Sequence, residues 1–208
     1  MIIHDVEQGT PEWLALRLGI PTASEFAKII TSTGKASTSA NTYMHKLLGE
    51  WCAGKPEDTY SNDDIERGNL QEEEARDYYQ FIHDLEDHQI EQVGFVTTDD
   101  GLIGCSPDGL VMSNGGIEIK CPRMSGHVET ILRGKPPTKY LPQIHGCMFV
   151  TERDYWDFIS YHQYIEPFVI RVNRDDEYIK KMASALSDFN EKLNEAKDQL
   201  IDYKKVAA

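Results

Sequence analysis

Between Ser106 and Pro122 the chain reads Ser-Pro-Asp-Gly-Leu-Val-Met-Ser-Asn-Gly-Gly-Ile-Glu-Ile-Lys-Cys-Pro, a run that carries two carboxylates and an ammonium. Glu118 and Lys120 stand two apart in Ile-Glu-Ile-Lys, so on a strand they share one face while Ile117 and Ile119 take the other. Asp108 precedes the short apolar run Leu110 to Met112, and Ser113-Asn114-Gly115-Gly116 has the composition of a hairpin turn. The chemistry that needs such a set is phosphodiester hydrolysis. Carboxylates hold a magnesium ion that keeps open positions, the ion neutralises charge on the phosphate, and a lysine can orient the nucleophile or donate to the developing charge. The same residues also fit an ordinary surface hairpin.

Strand parity limits how this can fold. A two-residue Asn114-Gly115 loop would place Val111 opposite Glu118 and send Asp108 to the wrong side of the sheet. A three-residue Ser113-Asn114-Gly115 loop places Leu110 opposite Glu118 and Asp108 opposite Lys120, all on one side. The expectation is therefore the three-residue register, or a bulge of equal parity, with positive φ at Gly115.

Other residues could serve the same chemistry. Thr22-Ala-Ser24-Glu25 has capping-box form, a helix start offers free N–H groups to phosphate, and Arg17 is suited to bidentate phosphate contact. Glu72, three residues after Asn69, fits a capped helix start as well as a metal site. Gln143 lies in a helical pattern. The seven histidines show no ligand spacing, and Cys52, Cys105, Cys121 and Cys147 form neither a zinc motif nor a disulfide framework.

Pro107-Asp108, Glu118 and Lys120 resemble the Pro-Asp...Asp/Glu-x-Lys nuclease superfamily, and the flanking Cys-Ser-Pro-Asp-Gly-Leu and Glu-Ile-Lys-Cys-Pro resemble bacteriophage lambda exonuclease and its relatives. Val6-Glu-Gln-Gly9, Trp13, Leu16-Arg17-Leu-Gly19 and Thr22-Ala-Ser24-Glu25 resemble that family's opening segment. Gly68 with Glu72, Ala75 and Arg76 is similar to its acidic helix, and Tyr140 with Gln143 to the helix after the catalytic strand. The resemblance implies catalytic roles for Asp108, Glu118, Lys120, Gln143 and Glu72. Metal ligation falls to Asp108, Glu118, Glu72 and the Ile119 backbone carbonyl, and the 5' phosphate to Arg17, Thr22 and Ser24. Ile65 is a candidate wedge between terminal bases, or a core residue. Asp63-Asp64-Ile65-Glu66 departs from a family pattern that is often basic there.

Periodicity supplies the frame. Helical patterns cover about 12–18, 24–30, 41–52, 69–85, 126–132 and 139–150, and strand patterns about 91–97, 102–104, 110–112, 117–121, 155–161 and 168–172. These predict an α/β fold, a central mixed sheet flanked by helices, around a restriction-endonuclease-like core. A single nuclease domain is expected over 1–208, with its catalytic core at about 68–172. From 175 to 203 the apolar residues Tyr178, Met182, Ala185, Phe189, Leu193, Ala196, Leu200 and Tyr203 define one long amphipathic helix, packed on its own domain or against another subunit.

A net charge of -14 is unusual for a phosphate binder, but its distribution is uneven. Residues 13–56 carry five Lys/Arg against Glu25 and Glu50, and residues 119–145 carry five against Glu129. The span 57–118 holds seventeen Asp/Glu with only Arg67 and Arg76. A basic track on an acidic body is the expectation. No run is long and apolar enough for a membrane span, and the chain is expected to act in the cytoplasm of a bacterial or phage-infected cell.

The resemblance implies a magnesium-dependent 5'-to-3' exonuclease with two bound ions, manganese being able to substitute. It would degrade one strand of double-stranded DNA from 5'-phosphorylated ends and leave 3' tails for recombination. It further implies a homotrimeric ring and a single-strand annealing protein as partner. A structure-selective or restriction-type endonuclease could use the same residues, and a non-catalytic DNA clamp is the alternative outside enzymology.

Overall fold

The computed structural model describes residues 1–57 and 63–207, except for the side chains of 63–70, 87 and 204–207. In chain order its strands and helices are β1 (Ile2–His4), α1 (Pro11–Leu16), α2 (Ala40–Ala53), α3 (Asp63–Ile82), β2 (Ile90–Glu91), β3 (Phe95–Thr97), β4 (Gly104–Cys105), β5 (Gly109–Val111), β6 (Gly115–Lys120), α4 (Met124–Arg133), α5 (Leu141–Thr151), β7 (Tyr155–His162), β8 (Ile165–Asn173) and α6 (Asp176–Ala207). A five-stranded mixed sheet runs β2-β5-β6-β7-β8, with β6 and β7 parallel and the other pairs antiparallel. A smaller antiparallel sheet runs β1-β3-β4.

The alternation of β6 separates the two faces of the larger sheet. Ile117 and Ile119 pack with Ile159, Val111 and Ile90 against Ala75 and Tyr79 of α3. On the other face Leu110, Trp156 and Phe158 pack with Ile144, Cys147 and Met148 of α5. The apolar stripe of α6 joins this second cluster through Tyr178, Met182, Leu186, Phe189 and Leu193. It packs on α2 and α5 of its own chain. Tyr203, at the end of the expected stripe, is exposed instead.

Several elements differ from expectation for physical reasons. The apolar run 91–97 divides between the two sheets at Gly94, where a Cβ would lie 1.7 Å from the Val6 carbonyl oxygen. The segment after Thr22 is a 3-10 helix, Ala23–Lys28, and the Thr22 side chain makes no capping bond. Gly68 and Asn69 open no helix, because α3 already begins at Asp63. Glu72 is therefore well inside α3 and is not a capping residue. The strand β1 carries no usable periodicity over three residues and pairs only through its long-range contact with β3.

The β5–β6 hairpin keeps the expected parity but not the expected loop. Val111 faces Gly115, Leu110 faces Gly116 and Gly109 faces Ile117, so the loop is Met112-Ser113-Asn114. Continuing this register sets Asp108 opposite Glu118 rather than Lys120, on the same face. The left-handed residue is Met112, at φ 50, and Gly115 is not left-handed. Gly115 and Gly116 serve close approach instead. A Cβ on Gly115 would lie 2.1 Å from the Tyr155 ring, and one on Gly116 2.4 Å from the Trp156 ring. A left-handed non-glycine residue costs roughly 1–2 kcal/mol. The Arg153 Nη1 group offsets this by reaching the carbonyls of Val111 (3.2 Å), Met112 (2.9 Å) and Gly115 (2.8 Å).

Candidate active site

Asp108, Glu118 and Lys120 meet on the α5 face of the sheet, as the strand pattern requires. Glu118 is fully buried, and its Oε1 lies 2.5 Å from Lys120 Nζ. Neither Glu118 carboxylate oxygen has a hydrogen bond of good geometry. Asp108 Oδ2 accepts the Ile119 amide at 2.6 Å. Because N–H and C=O of one strand residue point to the same side, the Ile119 carbonyl also faces the Asp108 side of β6. Arg76 of α3 donates to the Asp108 main-chain oxygen at 3.1 Å and fixes that helix to the centre.

Glu72 comes from the helix on the opposite face of the sheet. Burial first, and Asp108 second, push its carboxyl up to about 7 against the pull of Lys120 and Arg76. Burial likewise pushes Glu118 up to about 8, with Lys120 opposing and Asp108 and Glu72 adding to the rise. Asp108 is raised by burial against Lys120, the Ile119 amide and Arg76. Burial alone would lower Lys120, but Glu118 and Asp108 outweigh it and hold the ammonium charged. Three carboxylates thus compete for one lysine, an arrangement a divalent cation would relieve.

Among the described residues no three His, Cys, Asp or Glu side chains converge closely enough to enclose a metal ion. Magnesium does not require that, since it is commonly held by one or two carboxylates with water and substrate phosphate. Glu118 Oε2, which has no partner among the described residues, and the facing Asp108 fit such a hard cation, whereas Glu72 borders the centre without closing a three-carboxylate cage.

A second cluster adjoins the first through Ser106-Pro107-Asp108. Arg17 Nη1 donates to Ser106 Oγ at 3.1 Å, and Nη2 donates to Thr22 Oγ1 at 3.4 Å. Thr22 Oγ1 and Ser24 Oγ are also 3.4 Å apart. The guanidinium lies 4.1 Å from the Trp13 ring centroid, and Trp13 Nε1 donates to Ser106 Oγ at 2.9 Å and to the Gly94 carbonyl at 3.0 Å. All three expected phosphate residues come together. Ser106 was not singled out from sequence, although it is two residues from Asp108. A cleft of about 640 Å³ lies between Glu72, Arg76, Trp13, Pro107 and Asp108.

The remaining candidates divide. Gln143 is half-buried near the start of α5 and makes no hydrogen bond to Glu118 or Lys120 among the described residues. Tyr140 lies beside Lys120, with Lys120 Nζ 5.5 Å and Lys139 Nζ 4.7 Å from its ring centroid. Lys139 and Arg133 line a pocket beside Lys120, in keeping with the basic 119–145 segment. Ile65 lies on α3 with its side chain outside the described residues. His145 is buried against Tyr178, a packing role.

A family profile for the YqaJ-like viral recombinase domain matches residues 12–154, which span both clusters. The chain belongs to this family. Its fold is similar to an alkaline exonuclease (LHK-Exo) from Laribacter hongkongensis, at 33% identity over 96% of this chain and 100% of that one, with a TM-score of 0.84. The structure of LHK-Exo in complex with dAMP matches at 34% identity over the same shares, with a TM-score of 0.83. A phage related exonuclease from Haemophilus somnus 129PT shares the fold at 19% identity and a TM-score of 0.65, over 89% of this chain and 96% of that one. No curated protein sequence matches. Among the described residues of this YqaJ-like chain, no helix is long and apolar enough to cross a membrane.

Proposed function

We propose that this chain is a magnesium-dependent exonuclease that degrades one strand of double-stranded DNA from 5'-phosphorylated ends and leaves 3' single-stranded tails for recombination by strand annealing. The observation that carries the reading is the opposition of Asp108 and Glu118 across β5 and β6, beside Lys120 and next to the Arg17–Ser106 cluster. Family membership and the likeness to LHK-Exo support it.

In this reading Asp108, Glu118 and the Ile119 carbonyl would hold the cation, with Glu72 at the border of the site. Magnesium bound there supplies charge neutralisation at the scissile phosphate. Lys120, kept protonated by its carboxylate neighbours, orients the attacking water and donates to the developing negative charge. Arg17, Ser106, Thr22 and Ser24 grip the terminal 5' phosphate through charge-assisted hydrogen bonds. That grip sets how far the strand end enters, and hence which phosphodiester faces Asp108. Gln143 orients water or phosphate from α5 once DNA fills the site, and Ile65 enters the terminal base step. The physiological assembly is a homotrimeric ring working with a single-strand annealing protein.

Digestion of duplexes that differ only in 5' phosphate or 5' hydroxyl tests this reading. Faster degradation of the phosphorylated strand in magnesium is expected. Equal rates on both ends would remove the phosphate grip, and cutting of supercoiled circles would favour an endonuclease of the same fold.

A further inference from the structure

The hairpin that carries Asp108 and Glu118 is held from outside the site. At the end of α5, Glu152 adopts left-handed backbone at φ 58, and this reversal brings Arg153 beneath the β5–β6 turn. Arg153 is 8% exposed, and its Nη1 reaches the Val111, Met112 and Gly115 carbonyls, the two strand ends and the first loop residue. The next residue, Asp154, donates its amide to the Asn114 carbonyl at 2.9 Å. Arg174 in turn holds the Arg153 and Met148 carbonyls at 3.3 and 2.8 Å. Arg153 Nε has no partner, so the side chain is kept buried although one polar atom is left unsatisfied.

We propose that Arg153 is the positioning residue of the active site: by clamping the left-handed turn at Met112 it fixes the register that sets Asp108 opposite Glu118. A one-residue slip in this hairpin would send Asp108 to the α3 face, away from Glu118 and Lys120. Met112 itself is 57% exposed, so its side chain contributes little packing and its backbone conformation is the quantity under constraint. With a glycine at 112 the left-handed conformation loses its steric penalty, and the clamp becomes largely dispensable. The catalytic consequence rests on the nuclease reading, but the positional one does not. The Ile119 amide, bonded to Asp108 Oδ2, reports the register without any turnover.

The test compares wild type, Arg153→Lys, Met112→Gly, the Arg153→Lys/Met112→Gly double variant, and Met112→Val, whose branched Cβ disfavours positive φ while keeping the amide that donates to the Gln89 carbonyl at 2.8 Å. Ile119 amide exchange is followed by NMR, and DNA hydrolysis by kcat and KM. Arg153→Lys and Met112→Val should each speed Ile119 exchange and lower kcat by about 100-fold, the loss typical of roughly 1 Å misplacement. KM and the preference for phosphorylated ends should stay within about twofold, since the Arg17 cluster is untouched. The double variant should recover most of both losses. Arg153→Lys with unchanged exchange, or a loss that Met112→Gly does not rescue, overturns the proposal. If Arg153→Lys does not fold, the double variant and Met112→Val decide by the same two readouts. A wild-type protein that leaves DNA intact defeats the nuclease reading alone, because the exchange comparison still stands.

Discussion

Replacing Glu118 by Gln should make the metal-free protein more stable and leave it inactive. Glu118 has no exposed surface, and burial raises its carboxyl from 4.5 to about 8. The sign is opposite to that of a well-paired surface carboxylate. Between these values the folded protein binds more protons than the unfolded chain, so stability falls as pH rises. At 1.36 kcal/mol per unit, an ionisable Glu118 destabilises the fold relative to a neutral isostere by about 2 kcal/mol at pH 6 and about 5 kcal/mol at pH 9, and by almost nothing at pH 4. Glutamine keeps the size and removes the charge. Urea unfolding of wild type and Glu118→Gln in chelator, across that pH range, measures the gap directly. A gap that widens with pH in favour of Gln is expected, and magnesium should stabilise the wild type most near pH 9 and the variant hardly at all. A variant less stable than wild type at pH 9, or a gap independent of pH, would refute the picture of competing carboxylates.

Lys120→Met should lower kcat by about 10²–10³-fold with little change in KM, because its contribution is to developing charge; equal loss in binding and turnover would point to a structural ion pair. Arg17→Ala and Ser106→Ala should each weaken the preference for 5' phosphate, Arg17 by about tenfold or more, as the loss of a charge-assisted bond of roughly 1.5–3 kcal/mol requires. An unchanged end preference in a digestion assay would return both to a packing role. Gly116→Ala should destabilise by about 1–3 kcal/mol in denaturant, since its Cβ meets the fully buried Trp156 ring. Light scattering should give a trimer, and a monomer at all concentrations, with and without DNA, would remove the ring.

The strand β6 is legible because its signal is local. Ile-Glu-Ile-Lys alternates with the strand period, and of the two loop lengths weighed, the three-residue parity that keeps Asp108 on the Glu118 face is the one the register has. The loop was misread because a glycine has two uses. Gly115 looked like the residue needed for positive φ, yet it makes room for Tyr155, forty positions later, while Met112 takes the left-handed turn. Arg153 bonds to three carbonyls of that turn, and no local pattern connects it to residues 111–115. Glu72 shows the same limit. Asn69 and Glu72 satisfy a capping pattern by spacing, and only the continuation of α3 back to Asp63 excludes it. Ser106 joins the Arg17 cluster through contacts from Trp13 and Arg17, some ninety residues away in the chain. The α6 stripe was readable over nearly its whole length because helix period and packing agree there.

In the proposed reaction Asp108, Glu118 and Lys120 hydrolyse one DNA strand inward from a 5' phosphate. A linear duplex with its two strands distinctly labelled at their 3' ends, one 5'-phosphorylated and the other 5'-hydroxyl, tests it most directly when incubated with the protein in magnesium. Progressive shortening of the phosphorylated strand from its 5' side is expected, with the complementary strand left full length, and no shortening with Asp108→Ala or in chelator. Both strands persisting at full length in magnesium, or Asp108→Ala digesting as wild type does, would contradict it.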